Sequence, residues 1–235
     1  MAARLRGHLF MEGAMKYQAV LFDFDYTLGD STGPIVDSCT AALTAMGWPV
    51  PEREAVRLTV GYTLEDGYTL LTGDKEEEHR KEFFRRFKDH AREIMLTDTL
   101  LCPGAEEVLE WLEKAGIPAG IVSTKGSDVL DGIFRRLGLR SRLTLIVGGQ
   151  DVSRAKPDPE GLNLAVERLG KGRDAVLFCG DTVIDAETAR RAGVDFCAVL
   201  NGTTPAQAFA EYPHVHIAPD LTELLGWLTE LQGQA

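Results

Sequence analysis

The sequence of 235 residues predicts an α/β fold, with a mainly parallel sheet and a helical domain inserted after the first strand. Short apolar runs alternate with longer amphipathic runs, which is the order of strands and helices in βαβ units. The interval between the first two apolar runs is much longer than one crossover helix requires. A hydrophobic fraction of 44% and a charged fraction of 26% are ordinary for a globular protein and exclude a disordered chain.

Six apolar runs are predicted to form the strands of the sheet. In the first, Ala19, Val20, Leu21 and Phe22 follow one another without a polar residue. Runs of this kind indicate strands that are buried on both faces, as in a parallel sheet. The last run is predicted as an edge strand. The six runs span residues 18–25, 117–123, 143–149, 175–181, 194–200 and 214–220.

Amphipathic patterns after these runs predict the helices that cover the sheet. The pattern over 103–116 has Pro103 near its start, Glu106 and Glu107 in its first turn, and Gly116 as a stop signal. Glycines also end the next three patterns. These span residues 127–138, 158–170 and 185–193, and a last pattern spans 221–231.

The interval after the first strand predicts a second domain. Asp25 and Ser123 are 98 positions apart, whereas one crossover needs only about 30 residues. The sequence between them is helical in pattern, so residues 31–100 are predicted to form an inserted helical domain. Residues 17–30 and 101–235 are predicted to form the α/β core.

One stretch of the insertion, residues 75–95, is rich in charged side chains. Its pattern indicates a solvated amphipathic helix, and Phe83, Phe84 and Phe87 are predicted to pack inward.

The charge balance limits the class of partner. With 25 basic and 36 acidic residues, the net charge is −11, which argues against binding to nucleic acid or to an anionic membrane.

Residues 1–16 contain no apolar run of signal-peptide length and are predicted to be a flexible extension of a cytoplasmic protein. The cysteines form no CxxC pair and are predicted to be buried, reduced thiols. They are Cys39, Cys102, Cys179 and Cys197.

Two acidic residues follow the first predicted strand, and ligands of parallel α/β sheets bind beyond the carboxyl ends of the strands. Asp23 and Asp25 are two residues apart, so on an extended segment their side chains point to the same side, about 7 Å apart. Two carboxylates at the end of a buried strand are costly unless a cation neutralises them. Mg²⁺, which prefers oxygen ligands, is the predicted cation.

Further polar residues follow the next three strands. Ser123 and Thr124 precede a helix, where hydroxyls and free backbone N–H groups suit a phosphate oxygen. Lys156 lies in a proline-rich turn and is predicted to project a fixed positive charge, and Asp181 and Asp185 add two carboxylates. Each feature alone has an ordinary explanation, such as helix capping. Their position at the same end of successive strands makes coincidence a poor explanation.

In this order, DFDYT, the Ser-Thr pair, Lys before Pro, and GDTVID resemble the motifs of the haloacid dehalogenase-like hydrolase superfamily. The insertion resembles that superfamily's cap of the first type. KPDPEGL and GDTVIDAETARRAG are especially similar to its phosphoglycolate phosphatase-like branch. The resemblance covers residues 17–202 and implies a Rossmann-like parallel core with an inserted helical cap.

The resemblance implies a Mg²⁺-dependent phosphatase that acts through an aspartyl-phosphate. Asp23 would be the nucleophile, because a carboxyl group with a reference pKa of about 3.9 is ionised at neutral pH. Asp25 would hold a proton, act as general acid for the leaving alcohol, and then act as base for water. The implied metal ligands are Asp23, the backbone carbonyl of Asp25, Asp181 and, directly or through a neighbour, Asp185.

The same resemblance implies which groups hold the phosphoryl oxygens. Ser123, the backbone of Thr124 and Lys156 would bind them, and Lys156 would also act in catalysis by stabilising charge in the transition state. Thr27 is implied as a further substrate-binding residue. Positive charge from Lys156 and Mg²⁺ would offset the acidic character of the chain locally.

Two positions depart from the usual family pattern. Tyr26 stands where relatives most often have glycine, and either shapes the leaving-group pocket or packs under the cap. The pair Ser123 and Thr124 stands where many relatives of this branch have Thr-Asn, so the hydroxyl is kept and an amide is absent.

Specificity is predicted to reside in the cap. Residues 60–66, in which Gly61 permits a close approach, either face the substrate or form a simple turn between helices. Arg53, Arg57 and Arg80 are candidate partners for a substrate carboxylate.

The predicted function is hydrolysis of a small phosphorylated metabolite, a phosphoglycolate-like or sugar phosphate monoester. Asp25 disfavours dehalogenases and phosphonate-cleaving members, which lack a carboxylate there. A phosphomutase retains both acids and stays an alternative. A receiver domain shares the acidic cluster but needs neither Asp25 nor the insertion, and an inactive binding protein is expected to have lost an acid or the lysine. Both a monomer and a homodimer stay open.

Overall fold

Residues 16–233 are described by the computed structural model of the chain. They contain eight strands, all of them short. The strands are β1 (Ala19–Phe22), β2 (Gly29–Asp30), β3 (Leu100–Leu101), β4 (Ala119–Val122), β5 (Leu145–Val147), β6 (Val176–Gly180), β7 (Asp195–Val199) and β8 (His216–Ala218).

Six of these strands form one parallel sheet in the order β5-β4-β1-β6-β7-β8. Each lies within one of the six predicted runs, so the predicted parallel α/β fold is confirmed. The central strand β1 pairs with β4 through Phe22 and Ile121 and with β6 through Phe22 and Cys179. This register brings the carboxyl ends of β1, β4 and β6 to one edge of the sheet, where the predicted site residues follow them.

The described residues also contain nine α-helices and four short 3-10 helices. The α-helices are α1 (Thr32–Ala45), α2 (Arg53–Arg57), α3 (Leu64–Thr72), α4 (Glu77–Asp98), α5 (Ala105–Lys114), α6 (Ser127–Arg136), α7 (Glu160–Leu169), α8 (Val183–Ala192) and α9 (Leu221–Gly233).

The helices after β3 cover both faces of the sheet. On one face, α5, α6 and α9 bury leucines and aromatics such as Leu109, Phe134 and Leu224. On the other face, α7 and α8 bury smaller residues such as Ala165 and Ala189. Both faces of β1 are therefore removed from water, which explains its continuous apolar run.

The helices α1–α4, called the helical insertion below, lie between β2 and β3 in the chain and share a hydrophobic cluster of their own. Phe83 and Phe87 of α4 are buried in it, as predicted, but Phe84 is 38% exposed. The prediction for Phe84 was wrong because it lies one residue beyond the buried stripe of the helix. Strands β2 and β3, which the sequence did not indicate, pair as an antiparallel ribbon at the two ends of the insertion.

The predicted extension over 1–16 lies outside the described residues except for Lys16, whose ammonium group is 3.1 Å from the Asp195 carboxylate. Among the helices of residues 16–233, none combines the length and the apolar character that a membrane crossing requires.

All four cysteines are buried and free, as the sequence predicted. Burial raises the pKa of the Cys39 thiol and of the Cys102 thiol to about 12. We therefore expect a thiol reagent such as DTNB, at mildly alkaline pH, to label the native protein only at the rate at which it opens. In denaturant all four thiols should react at once. Rapid reaction of even one thiol in the native protein would contradict this packing.

Candidate active site

The turn after β1 places two carboxylates at the sheet edge. Asp23 is 2% exposed, and its backbone N–H donates to the carbonyl of Cys179 at 2.9 Å. The ring of Phe24 points into the core, packed edge-on against Phe134. The carbonyl of Phe24 accepts from the backbone N–H groups of Leu28 and Gly29, at 2.9 and 2.8 Å. This tight turn places Asp25 close to the carboxyl end of β1.

Three buried carboxylates meet at this edge. Asp23, Asp181 and Asp185 each offer an oxygen, and these oxygens lie within 4.8 Å of one another. Burial, acting against the neighbouring lysine, raises the pKa of Asp23 to about 6. Burial, with repulsion from Asp185 and Asp23, raises the pKa of Asp181 well above its usual range. The cluster thus carries more negative charge than its surroundings stabilise.

Lys156 lies inside this cluster. Its Nζ is 2.6 Å from Asp185 Oδ1 and 3.0 Å from Asp23 Oδ1, and its side chain is 5% exposed. Burial lowers the pKa of Lys156, but the carboxylates of Asp185 and Asp23 outweigh that effect and raise it above the ordinary lysine value. A permanent ammonium group therefore sits between the predicted nucleophile and Asp185.

Asp185 is held by its own helix. Its Oδ2 accepts from the backbone N–H of Thr182 at 3.1 Å and from the hydroxyl of Thr182 at 2.6 Å. In return, Thr182 Oγ1 accepts from the backbone N–H of Asp185 at 3.3 Å, and this bond and the one from the Thr182 backbone form a capping box at the start of α8. Asp185 thus both caps α8 and binds Lys156. Its role as a helix cap does not exclude a role in the active site.

Asp181 is fixed by residues that the sequence reasoning missed or read differently. The hydroxyl of Thr27, predicted to bind substrate, is fully buried and donates to Asp181 Oδ1 at 3.2 Å. A Cβ atom on Gly202 would lie 2.0 Å from Asp181 Oδ2, so only glycine fits beside that carboxylate. Asn201 donates to the carbonyl of Thr27 at 3.3 Å.

The donor set fits a hard divalent cation. Among the side chains of residues 16–233, Asp23 Oδ1 and Asp25 Oδ1 are the buried oxygens that lack a hydrogen-bond donor. Buried unpaired oxygens and a surplus of negative charge are what Mg²⁺ neutralises. Asp23 Oδ1 does lie close to Lys156, but the angles are not those of a hydrogen bond, so that oxygen retains lone pairs for a metal.

Ser123 and Thr124 follow β4 on the other side of β1. Ser123 is 7% exposed, and its Oγ accepts from the backbone N–H of Lys125 at 3.3 Å. The turn leads into α6, whose first residue is Ser127. These two residues stand beside Asp23, because β4 and β1 are neighbours in the sheet.

Lys125 is a site residue that the sequence reasoning did not select. Its Nζ is 3.2 Å from Asp25 Oδ2 and 3.5 Å from Met95 Sδ of the helical insertion. The side chain is only 10% exposed. The signal available in the sequence was the position of Lys125 just after a predicted strand. In the structure its ammonium group is almost buried and therefore needs a carboxylate partner.

A cavity of about 570 Å³ lies between the sheet edge that carries the carboxylates and the helical insertion. Its floor includes Asp25, Thr124 and Lys125, and its walls come from α4 and from residues 59–65, which include most of the predicted substrate-facing segment. In that segment Gly61 has φ +98°, and a Cβ atom there would lie 3.2 Å from Thr182 Cγ2. The segment therefore approaches the sheet edge at Thr182, next to Asp181.

Tyr26 packs rather than lining this cavity. It is 5% exposed, its hydroxyl lies 2.8 Å from Thr32 Oγ1, and the Arg57 guanidinium lies 5.8 Å from its ring centre. Its φ of 58° lies in the left-handed region, which explains why glycine suits this position.

The three arginines suggested for a substrate carboxylate do not line the cavity. Arg57 pairs with Glu54 at 2.7 Å, and Arg80 pairs with Asp66 at 2.7 Å. Arg53 begins the short helix α2 and is likewise absent from the cavity walls.

Comparison with known proteins agrees with this geometry. The pattern of the haloacid dehalogenase-like hydrolase family matches residues 20–199. An N-acetylmuramic acid 6-phosphate phosphatase from Pseudomonas aeruginosa is 34% identical over 193 residues, covering 80% of this chain and 84% of that protein. A phosphoglycolate phosphatase from Photorhabdus laumondii is 30% identical over 201 residues, covering 82% and 84%.

A solved structure extends the similarity to three dimensions. A haloacid dehalogenase-like hydrolase from Bacteroides fragilis has a TM-score of 0.86 and 38% identity, covering 89% of this chain and 100% of that chain. The chain therefore belongs to the haloacid dehalogenase-like hydrolases. The predicted family, its Rossmann-like core and the enzyme class, a phosphatase of this family, are confirmed.

Lys156→Met is expected to lower the free energy of unfolding by about 3–5 kcal/mol in the absence of divalent cations, because it leaves buried carboxylates without their cation. Denaturant titration followed by circular dichroism measures the change. Lys114→Met, at a side chain that is 73% exposed, should change it by less than about 0.5 kcal/mol. A loss below about 1 kcal/mol for Lys156→Met contradicts the assigned pairing.

Mg²⁺ is expected to raise the melting temperature, because a ligand that binds only the folded state stabilises it by about 2.7 kcal/mol at 100 times its Kd. For a chain of this length the rise is roughly 5–10 °C. Asp181→Asn should reduce it to less than about a third, since it removes one anionic ligand. Asp174→Asn, at an exposed carboxylate, is the control and should retain the full rise. An undiminished rise in Asp181→Asn would exclude this residue as a ligand.

Proposed function

We propose that this protein is a Mg²⁺-dependent phosphatase that hydrolyses a small phosphate monoester through an aspartyl-phosphate. The observation that carries the proposal is the buried set of Asp23, Asp181, Asp185 and Lys156 beside a cavity of about 570 Å³. Asp23, Asp181 and the backbone carbonyl of Asp25 are the proposed metal ligands, with Asp185 holding Lys156 beside them. Bound there, Mg²⁺ neutralises charge on the carboxylates and on the phosphoryl group.

In the first step, a carboxylate oxygen of Asp23 attacks the phosphorus atom. The bond from phosphorus to the ester oxygen breaks, and the leaving alkoxide takes a proton from Asp25. Asp25 suits this role because it lies at the cavity floor, two residues from the nucleophile. The product alcohol leaves through the cavity, and the phosphoryl group stays on Asp23.

In the second step, Asp25 returns as the base. It accepts a proton from a water molecule, whose oxygen attacks the phosphorus atom, and the bond from phosphorus to Asp23 breaks. Inorganic phosphate leaves, Asp23 is again a carboxylate, and Asp25 again holds the proton that it donates in the next turnover. Throughout, Lys156 and the hydroxyl and backbone groups of Ser123 and Thr124 hold the phosphoryl oxygens and stabilise their charge.

The size of the cavity supports a leaving group as large as a sugar. Binding sites for small molecules usually measure about 300–1,000 Å³, and this cavity falls within that range. A two-carbon leaving group such as glycolate would fill little of it. Of the two predicted substrate types, the sugar phosphate is therefore the better supported, and one relative is named for a sugar phosphate.

Asp23→Asn is expected to reduce phosphate release by at least roughly 1,000-fold, because the amide is no nucleophile. Release is measured from a panel of phosphoglycolate, sugar phosphates, nucleoside monophosphates and p-nitrophenyl phosphate, with Mg²⁺ and with excess chelator. Circular dichroism and the melting temperature establish that the variant is folded. Retained activity in Asp23→Asn contradicts the covalent mechanism, and isomerised sugar phosphate without phosphate release indicates a mutase.

Lys125→Met is expected to lower kcat/KM about tenfold for alkyl phosphates and much less for p-nitrophenyl phosphate. The Lys125 ammonium, 3.2 Å from Asp25 Oδ2, orients the Asp25 carboxyl group. General acid catalysis matters most for leaving groups that need a proton. The ratio kcat/KM reports the steps up to release of the leaving group. An equal loss for both substrates contradicts a role of Lys125 in positioning the acid.

A further inference from the structure

One stripe of α4 lines the cavity on the side opposite Asp25 and Thr124. Phe84, Lys88 and Arg92 are four residues apart in succession, so they lie on one side of the helix, and all three line the cavity. The ring of Phe84 is 38% exposed, and Lys88 Nζ lies 5.7 Å from its centre. The stripe thus combines an accessible aromatic face with two cations.

The two cations of this stripe have no ion-pair partner among the described residues, unlike the other lysines and arginines of α4. Those other residues each pair with a carboxylate. The pairs are Arg80 with Asp66 at 2.7 Å, Lys81 with Glu77 at 2.7 Å, Arg85 with Asp89 at 3.0 Å and Arg86 with Glu82 at 2.6 Å.

Folding alone does not account for this arrangement. Like charges four residues apart on a helix repel each other and destabilise it by a few tenths of a kcal/mol. Lys88 and Arg92 are such a pair. Among residues 16–233 neither pairs with a carboxylate, and the Phe84 ring beside Lys88 carries no net negative charge. Their position on the cavity wall points to a ligand that supplies the missing anion.

The acidic residues of the cavity wall do not supply it. Asp25 is paired with Lys125 at 3.2 Å. Asp128 accepts from Gln150 Nε2 at 3.0 Å in the first turn of α6, and Glu65 lies in the first turn of α3, so both are stabilised at helix N-termini. The acids of the wall therefore have stabilising neighbours of their own, and none of them pairs with Lys88 or Arg92.

We propose that Lys88 and Arg92 bind an anionic group on the substrate's leaving group, and that this group is a carboxylate. Phe84 packs against the body of the leaving group, between its carboxylate and the phosphate ester. The substrate is then a phosphate ester of a sugar-sized acid, which rests on the proposed phosphatase function. Both relatives described above are named for phosphate esters that also carry a carboxylate, N-acetylmuramic acid 6-phosphate and phosphoglycolate.

The proposal is tested with two substrate pairs, in each of which one member carries a carboxylate that the other lacks. N-acetylmuramic acid 6-phosphate is compared with N-acetylglucosamine 6-phosphate, and 6-phosphogluconate with glucitol 6-phosphate. Wild-type protein should have the higher kcat/KM for the acid of at least one pair. In the double variant K88M/R92M, the ratio of kcat/KM between acid and neutral member should fall by about 10–100-fold, the effect of losing a charge-assisted hydrogen bond.

The control is Lys81→Met, at a paired lysine of the same helix that does not line the cavity. It should leave the ratio unchanged. Preference for the neutral member in both pairs, or an unchanged ratio in K88M/R92M, overturns the proposal. Glucose 1,6-bisphosphate preferred over all four substrates overturns the carboxylate in favour of a second phosphate.

A further outcome separates the two proposals. If p-nitrophenyl phosphate is hydrolysed in a Mg²⁺-dependent way and none of the four sugar substrates is, the substrate class is wrong while the phosphatase function stands. If no phosphate ester is hydrolysed by folded protein, the phosphatase function fails, and the substrate class fails with it.

Discussion

A buried ammonium group between two buried carboxylates is the interaction on which the rest of the active site depends. Lys156 lies 2.6 Å from Asp185 and 3.0 Å from Asp23 with almost no exposure to water. Burying carboxylates is costly, and one lysine does not offset all of it, because the pKa values of Asp23 and Asp181 stay raised. Under the proposed function, the remaining negative charge would give the site its affinity for a divalent cation and, through that cation, for a phosphate ester.

The fold assembles this charge cluster beyond the ends of three strands. Asp23 follows β1 directly, Asp181 and Asp185 follow β6, and Lys156 lies in the longer segment after β5. The chemistry is thus built on the rigid sheet, and the cavity above it is walled by the helical insertion. Such a division lets the wall select the leaving group without disturbing the groups that act on phosphorus.

Much of this arrangement was predictable from the sequence, because strands buried on both faces have a plain apolar signature and parallel strands end at one edge. The residues Asp23, Ser123, Lys156 and Asp181 were found in this way. Contacts between distant segments left no such signature. The closeness of Gly202 to Asp181, the ion pair of Lys125 with Asp25 and the β2–β3 ribbon depend on tertiary packing alone. Phe84 was predicted to pack inward, and Lys88 and Arg92 were not singled out from the charged face of their helix, because only the cavity beside them distinguishes these residues.

The covalent step is the central claim, and mass spectrometry after a rapid acid quench tests it most directly. An Asp25→Ala variant mixed with p-nitrophenyl phosphate and Mg²⁺ can form the phosphoenzyme, because this leaving group needs no proton, but lacks the base that hydrolyses it. We expect one phosphoryl group on the peptide that contains Asp23, and none when Asp23 is also replaced by Asn. A burst of p-nitrophenol with the phosphoryl group on another residue, or on none, would contradict it.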